Sequence, residues 1–268
     1  MVRRPAVAGY FYPGNAGELR RMIGSMVDPK AKREKALAVV SPHAGFIYSG
    51  PVAGAVFSSV ELPGTFLILG PGHRTIRPRF AAMSRGSWET PLGVLPIDTE
   101  LADKIMSRCA SVEEDERAHN QEHSLEVQLP FIQYFQESFT FVPICISYQA
   151  SYAEIEELGH AVSAAIKELN RGTLIVASTD MSHYVSQDEA KRKDFLAISK
   201  ILDLDAAGLY RTVEKEDISM CGYKPAAAAV IAGRDLGASK AVLVKYQTSG
   251  DRTGDFGQVV GYAGLRIA

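Results

Sequence analysis

Hydrophobic positions along the chain follow two patterns: short continuous apolar runs, and longer segments whose apolar residues stand three or four positions apart. The short runs are bounded by Gly, Pro, Ser or Asp, as is typical of strands that are buried on both faces of a sheet. We expect them to form the central strands, at residues 36–40, 66–69, 139–146, 173–177 and 241–245.

The segments with helical spacing lie between these runs, at residues 99–108, 124–135, 153–169, 188–202 and 225–236. A short first helix is expected after Asn15, because Glu18 stands three positions beyond it, as in a capping box. Residues 80–83 and 94–97 are expected to form an inserted hairpin, and 258–267 a late strand. This alternation predicts an α/β fold with a central, mostly parallel sheet and helices on both faces.

Composition supports a packed globular protein, with 46% hydrophobic residues, 22% charged residues and a net charge of -2. No linker or repeat divides the 268 residues, so we predict a single domain over 1–268. Lys and Arg are scattered, which argues against a nucleic-acid partner. The chain lacks an apolar stretch long enough for a membrane partner, and its three widely spaced cysteines favour a reducing, cytoplasmic location.

Three of the six histidines share one local context, in which an apolar strand ends, a small or turn-forming residue follows and His comes soon after. They are His43, His73 and His183. Residues just beyond strand ends line the binding crevice of an open α/β sheet, so we expect these side chains to converge. Each could instead cap a turn, and their wide separation in sequence specifies no metal by itself.

Cys221 is the cysteine in a chemically interesting position, because Pro225 fits the first turn of a helix that begins just after it. A thiol near a helix start is biased towards the thiolate, which is both a nucleophile and a metal ligand. Cys109 and Cys145 fall in apolar patterns and are expected in the core.

Asp180 and His183 are candidates for acid–base chemistry, since an Asp can orient and charge-stabilise a nearby imidazole. His123 and Glu126 stand three residues apart, which would place both on one helix face, where they could relay a proton or hold a ligand. The alternative is that Glu122 and His123 only satisfy the backbone or solvent at a helix start.

The remaining histidines, His119 and His160, lack such a context and are expected at the surface. The glycine-rich stretch at residues 248–257 matches neither common phosphate-binding motif, so a flexible loop is expected there.

A set of motifs taken together resembles the Memo family, in particular its archaeal and bacterial members known as AmmeMemoRadiSam system protein B. The motifs are RPAVAGYFYP, SPHAGFIYSG, GPGH, NQEHSLEVQLPF, STDMSHY, MCGYKP and VVGYAG, and they extend over essentially the whole chain. The family is similar in fold to the class III non-haem-iron extradiol dioxygenases. The resemblance therefore implies a dioxygenase-like α/β fold with a pocket at the strand ends.

The resemblance also implies a metal site, because His43, His73 and Cys221 match the family's ligand positions. The dioxygenases carry a carboxylate where Cys221 stands here. Thiolate and imidazole together suit iron or copper, with zinc as a further option, and disfavour magnesium or calcium. A redox or dioxygenase-related metalloprotein is the expectation from this comparison.

Asp180 and His183 match the pair beside the family's metal, with His183 at the acid–base position, and His123 matches another pocket position. Animal members resemble binding modules for phosphotyrosine peptides and carry Trp where Phe11 stands here. This difference argues against a phosphotyrosine-peptide role for this chain. The alternative function is a non-catalytic binding or scaffold protein that recognises a peptide, a modified side chain or a small molecule in the same pocket. The system name implies radical-SAM proteins as partners, and this chain has no radical-SAM cysteine cluster of its own.

Overall fold

The computed structural model describes residues 1–74 and 77–268. Its strands are β1 (Val2–Arg3), β2 (Ala38–Ser41), β3 (Thr65–Gly72), β4 (Phe80–Ala82), β5 (Ser87–Thr90), β6 (Gly93–Pro96), β7 (Val112–Glu114), β8 (Thr140–Ser147), β9 (Thr173–Ser178), β10 (His183–Val185), β11 (Ala241–Thr248) and β12 (Val259–Ile267). Its α-helices are α1 (Ala16–Gly24), α2 (Phe46–Ser58), α3 (Thr99–Met106), α4 (Leu129–Phe135), α5 (Tyr152–Leu169), α6 (Gln187–Leu202), α7 (Ala206–Lys215), α8 (Tyr223–Asp235) and α9 (Gly250–Thr253).

The main sheet has the strand order β10-β12-β2-β9-β3-β8-β4-β7, and β11 pairs with β12. Its middle, β2, β9, β3 and β8, is parallel throughout, whereas β12 joins β2 in the antiparallel direction. The α/β fold class with a central sheet and helices is thereby confirmed. The run at 241–245 is a strand as predicted, but it lies beside β12 in antiparallel pairing and is not central.

Side chains of the parallel strands alternate between two apolar layers, one on each face of the sheet. Leu67 and Leu69 of β3 point into a layer that includes α5 and α8, whereas Phe66 and Ile68 point into a layer that includes α1 and α2. A strand covered on both faces has no solvent-facing side for polar residues, which explains the continuous apolar runs in the sequence. Helices therefore cover both faces, as predicted.

The expected hairpin between residues 80–83 and 94–97 is wrong. Strand β4 pairs with β8 and β7 of the main sheet, and the hairpin is formed by β5 and β6. The first residue of β6 is Gly93, whose φ of 136° favours glycine. Strand β1 adds to this hairpin and makes a separate three-stranded sheet.

The first helix begins where predicted, because the Asn15 side chain accepts hydrogen bonds from the backbone N–H groups of Gly17 and Glu18. The helix expected at 124–135 is shorter, since a 3-10 turn at Glu126–Gln128 precedes α4. The expected flexible loop at 248–257 contains the helical turn α9. Within the described residues, no helix is long and apolar enough to cross a membrane.

Candidate metal centre

The carboxyl ends of β2, β3 and β9 bring three predicted side chains to one edge of the sheet. In the strand pairing, Ser41 at the end of β2 lies opposite Ser178 at the end of β9. His43 and Asp180 each follow their strand by two residues, and His73 comes directly after β3. Asp180 accepts a hydrogen bond from the His43 backbone N–H at 2.8 Å, which ties the two strand ends together.

The His43 ring is held in one tautomer by Ser178. Its Nδ1 lies 2.8 Å from Ser178 Oγ. That hydroxyl donates its only proton to the Ser124 carbonyl at 2.6 Å and accepts from Gln128 Nε2 at 2.9 Å. Nδ1 must therefore carry the imidazole proton, which leaves Nε2 with a free lone pair. Burial, followed by the nearby imidazoles of His123 and His73, holds the pKa of His43 well below 6.5, so the ring is neutral.

His73 is oriented by Glu122, a buried carboxylate that sequence reasoning did not assign to the site. Glu122 Oε2 accepts the His73 backbone N–H at 2.8 Å, and Oε1 lies 2.9 Å from His73 Nδ1. Burial lowers the pKa of His73, but the Glu122 carboxylate raises it, and the net shift is upward. A carboxylate on one ring nitrogen is the arrangement that orients metal-binding histidines. The opposite nitrogen is left to face a ligand.

The donor atoms of three imidazoles, His43, His73 and His123, lie within 4.8 Å of one another. The His73 and His123 rings stack with centroids 4.7 Å apart, and the centroid of the His43 ring lies 5.4 Å from each of them. Phe11 packs against His123 with ring centroids 4.8 Å apart. This set of three could hold a metal ion, and it includes His123, which was expected in the pocket in another role.

Cys221 lies beside this cluster, with Sγ 3.2 Å from His43 Nε2. Its position depends on Gly222, because a Cβ there would come 2.3 Å from the Ser178 carbonyl oxygen. Helix α8 begins at Tyr223, as expected from the sequence. Burial, followed by the charge of Asp180, raises the pKa of the Cys221 thiol above its usual range. The predicted bias towards the thiolate is therefore wrong in the absence of a cation.

Asp180 and His183 both reach the site, but Asp180 does not orient His183. The Nδ1 atom of His183 lies 2.8 Å from the Ser219 carbonyl oxygen, and the His183 backbone N–H donates to Ser219 Oγ at 2.7 Å. Because a carbonyl only accepts, Nδ1 carries a proton, and in the neutral ring Nε2 is the nitrogen with the lone pair. Burial raises the pKa of Asp180 to about 6, against the hydrogen bond from His43. Nothing in the sequence pattern marks Ser219 for this role.

The predicted pairing of His123 with Glu126 is also wrong. Glu126 is fully buried and accepts from Arg3 at 2.6 Å and from the Tyr12 hydroxyl at 2.6 Å. His123 precedes the 3-10 turn and is close to Glu122 instead, at 3.5 Å. Glu126 therefore anchors the N-terminal segment, and this segment carries Phe11 to the imidazole cluster.

The other histidines and cysteines lie outside the cluster. Cys109 and Cys145 are buried as expected, and His160 is exposed, with its Nδ1 2.7 Å from Asp235. The expected surface position of His119 is wrong, because this residue is fully buried with Nδ1 3.4 Å from Cys145 Sγ. Short polar segments around it, without a strand or helix pattern, gave no signal of burial.

A cavity of about 530 Å³ opens beside the cluster, and we call it the strand-end cavity. Its inner side includes the buried Asp180 and the half-buried His123 and His183, and its exposed side includes Tyr10 and Tyr184. The geometry thus defines a class of protein: an α/β fold with a histidine-rich pocket at the carboxyl ends of parallel strands.

The chain belongs to the Memo-like protein family, whose model matches residues 3–266. A MEMO1 family protein of Methanopyrus kandleri is 43% identical over 99% of this chain and 98% of its own length. A MEMO1 family protein of Methanothermobacter thermautotrophicus is 42% identical, over 99% of this chain and its own full length. The resemblance predicted from the motifs is confirmed.

Among solved structures, an uncharacterized protein from Escherichia coli is similar in fold. The superposition has a TM-score of 0.61 at 13% sequence identity, and it covers 87% of this chain and 100% of that one. At this identity the likeness concerns the fold alone, and it agrees with the α/β fold described above.

Proposed function

We propose that the chain is a redox-active metalloprotein that holds one iron or copper ion through His43, His73 and a third donor. The observation that carries this proposal is the convergence of three imidazoles within 4.8 Å, with Cys221 Sγ 3.2 Å from one of them. Both His43 and His73 are fixed through Nδ1, so the nitrogen that a metal needs is free on each.

Two residues are candidates for the third donor. Cys221 matches the ligand position of the family, and His123 belongs to the imidazole cluster with His43 and His73. Metal–nitrogen and metal–sulfur bonds of roughly 2.0–2.3 Å place two donors of one ion about 3.5 Å apart. The 3.2 Å between His43 Nε2 and Cys221 Sγ meets this requirement directly. We favour Cys221, with His123 as the alternative third ligand. Zinc is the alternative metal, since the same donors suit it.

A bound iron or copper ion would supply redox chemistry or activate an oxygen species at an open coordination position. The protein's contribution is to hold and accept protons beside the metal position. His183 keeps its Nδ1 proton on the Ser219 carbonyl, so its Nε2 can accept a proton from a ligand in the strand-end cavity. Asp180 holds the His43 backbone and adds negative charge beside the metal position.

Metal content is the direct test. Protein purified anaerobically should carry close to one iron or copper ion per chain, measured by elemental analysis. His43→Ala should lose most of it, and Cys221→Ser should lose most of it while His123→Ala retains it. His160→Ala, which removes an exposed histidine far from the cluster, is the matched control and should not change the content.

The opposite pattern, with metal lost in His123→Ala and kept in Cys221→Ser, would assign the third position to His123. If the wild-type chain takes up no iron, copper or zinc even after reconstitution, the metalloprotein proposal is wrong. The non-catalytic alternative, a peptide-binding scaffold, would then be favoured, since Tyr10 and Tyr184 are 89% and 74% exposed at the edge of the cavity.

A further inference from the structure

Aromatic side chains form much of the wall of the strand-end cavity. Tyr10, Phe11, Tyr48 and Tyr184 line it together with the buried Tyr262. Burial raises the pKa of Tyr262. The Asp180 carboxylate and the hydroxyl groups of Tyr48 and Tyr184 are close enough to raise this pKa further. The tyrosines therefore surround one space and are not spread over separate surfaces.

The charge of the cavity is one-sided. Within the described part of the chain its lining includes two carboxylates, Asp180 and Asp255, and neither Lys nor Arg. Asp255 is exposed, and its Oδ1 accepts only a backbone hydrogen bond, from Gly257 at 2.9 Å. Among the described residues of this wall, an anionic ligand would meet neither Lys nor Arg.

Arg252 and Arg74, which adjoin Thr253 and His73 in the sequence, are directed elsewhere. Arg252 Nε donates to the Ile47 carbonyl at 3.1 Å on the outer surface. Arg74 lines a separate cavity of about 210 Å³ together with Arg117, although its charge still lowers the pKa of His123 behind burial. The aromatic wall and Asp255 are therefore the charged and polarisable groups that a ligand meets on entry.

Aromatic faces and a carboxylate are the combination that recognises an ammonium group, because the ring quadrupole and the negative charge both attract a cation. We infer that the strand-end cavity selects ligands that carry a positively charged amine, with the ammonium group held by the tyrosine rings and Asp255. The uncharged remainder of the ligand extends towards His123 and His183. This inference rests on the proposed function only in using the same cavity.

Three compounds of matched shape and different charge test the inference: 2-phenylethylamine, 2-phenylethanol and phenylacetate. Binding is measured by calorimetry and ligand-observed NMR on metal-free protein at low salt, so that no carboxylate can bind a metal. The amine should bind about three- to tenfold more tightly than the alcohol, and phenylacetate more weakly than both. Failure of this order would leave the metal-content test unaffected.

Variants then locate the preference. Asp255→Asn should reduce the amine's affinity to that of the alcohol, and Tyr184→Ala should weaken the amine about two- to fivefold. Asp203→Asn removes an exposed carboxylate at the end of α6 and serves as the matched control. The inference is overturned if phenylacetate or the alcohol binds as well as the amine, if the amine binds more weakly than about 10 mM, or if Asp255→Asn leaves the preference intact.

Discussion

The described part of the chain holds two histidine–cysteine pairs whose contact distances are nearly equal and whose surroundings are opposite. His43 Nε2 lies 3.2 Å from Cys221 Sγ, and His119 Nδ1 lies 3.4 Å from Cys145 Sγ. The first pair faces other imidazoles beside a cavity, whereas the second is sealed in the core, with His119 edge-on to Trp88 at 5.5 Å. A histidine next to a cysteine therefore does not make a site by itself.

The difference is whether a cavity gives access to the pair. The backbone near the sealed pair is fixed by Arg3, whose guanidinium donates to the His119 carbonyl at 2.8 Å and stacks over Trp88 at 4.0 Å. No cavity described for the chain has His119 or Cys145 in its lining. The sealed pair should govern stability, and the pair beside the cavity should govern binding.

The largest expected effect is on stability at low pH. Burial, followed by the Arg3 charge, lowers the pKa of His119 to about 3. The unfolded chain takes up this proton near pH 6.5, whereas the folded chain does so only near pH 3. Folding stability is therefore lost as pH falls through this window, by about 1.4 kcal/mol per unit and roughly 5 kcal/mol in all from His119. Urea unfolding at pH 6.5 and pH 5 would measure about 2 kcal/mol of it.

His119→Gln should lose this share of the pH dependence even if the variant is less stable at every pH. The comparison uses the slope of the free energy of unfolding against pH and not its absolute value. His160→Gln, at an exposed site, should retain the wild-type slope. An unchanged slope in His119→Gln would show that this histidine is accessible to protons in the folded state, which would remove the contrast between the two pairs.

An intermediate effect is expected from Glu122, which orients His73 beside the cavity. Glu122→Gln removes the negative charge of the carboxylate beside His73 Nδ1 and keeps the shape of the residue 122 side chain. Metal affinity should fall about 10- to 100-fold, or about 1.4–2.7 kcal/mol, as for other carboxylates that orient a ligand histidine. Competition with a chromophoric chelator would measure it on the reconstituted protein.

Glu168→Gln is the control, since this carboxylate is at the surface and pairs with Lys104 and Arg108. Equal metal affinities for Glu122→Gln and the wild type would mean that His73 is not a ligand, and the pocket would then depend on His43 and its other neighbours alone.

The sequence was informative about strand ends and much less so about their partners. Apolar runs located the parallel strands, and the sheet then placed His43, His73 and Asp180 together, as predicted. The predicted helices did not include α2 or α7. Helix α2 is apolar on nearly all sides, so its sequence shows no helical periodicity. Its close packing requires Gly54, where a Cβ would come 2.3 Å from the Met26 carbonyl oxygen.

Two of the partners that orient the imidazoles, Glu122 and Ser219, lie outside helices and strands, and the third, Ser178, is the last residue of β9. Glu122, Ser178 and Ser219 are common polar residues, and their roles follow from three-dimensional neighbours 36 to 135 positions away. The same limitation explains His119, whose burial depends on Arg3, 116 positions before it. Local patterns predict the elements, whereas contacts between distant segments decide which histidines can bind a ligand.

The smallest expected effect is a difference in thiol access. Cys221 is partly exposed, whereas Cys109 and Cys145 are fully buried, so iodoacetamide should modify one thiol in the native, metal-free protein and three after denaturation. Although the residue is partly exposed, desolvation of its thiol and the charge of Asp180 hold the pKa of Cys221 above its usual range. Its reaction rate should therefore be at least about tenfold below that of a free thiol at neutral pH. Peptide mapping by mass spectrometry identifies the residue.

Cys221→Ser should abolish the native reaction and leave two thiols to react after denaturation. Added iron or copper should protect Cys221 if its sulfur is the third ligand, and should not protect it if His123 fills that position. Modification of Cys145 in the native state would contradict the sealed environment around His119, because the reagent can reach that sulfur only through an opening that the described residues do not form.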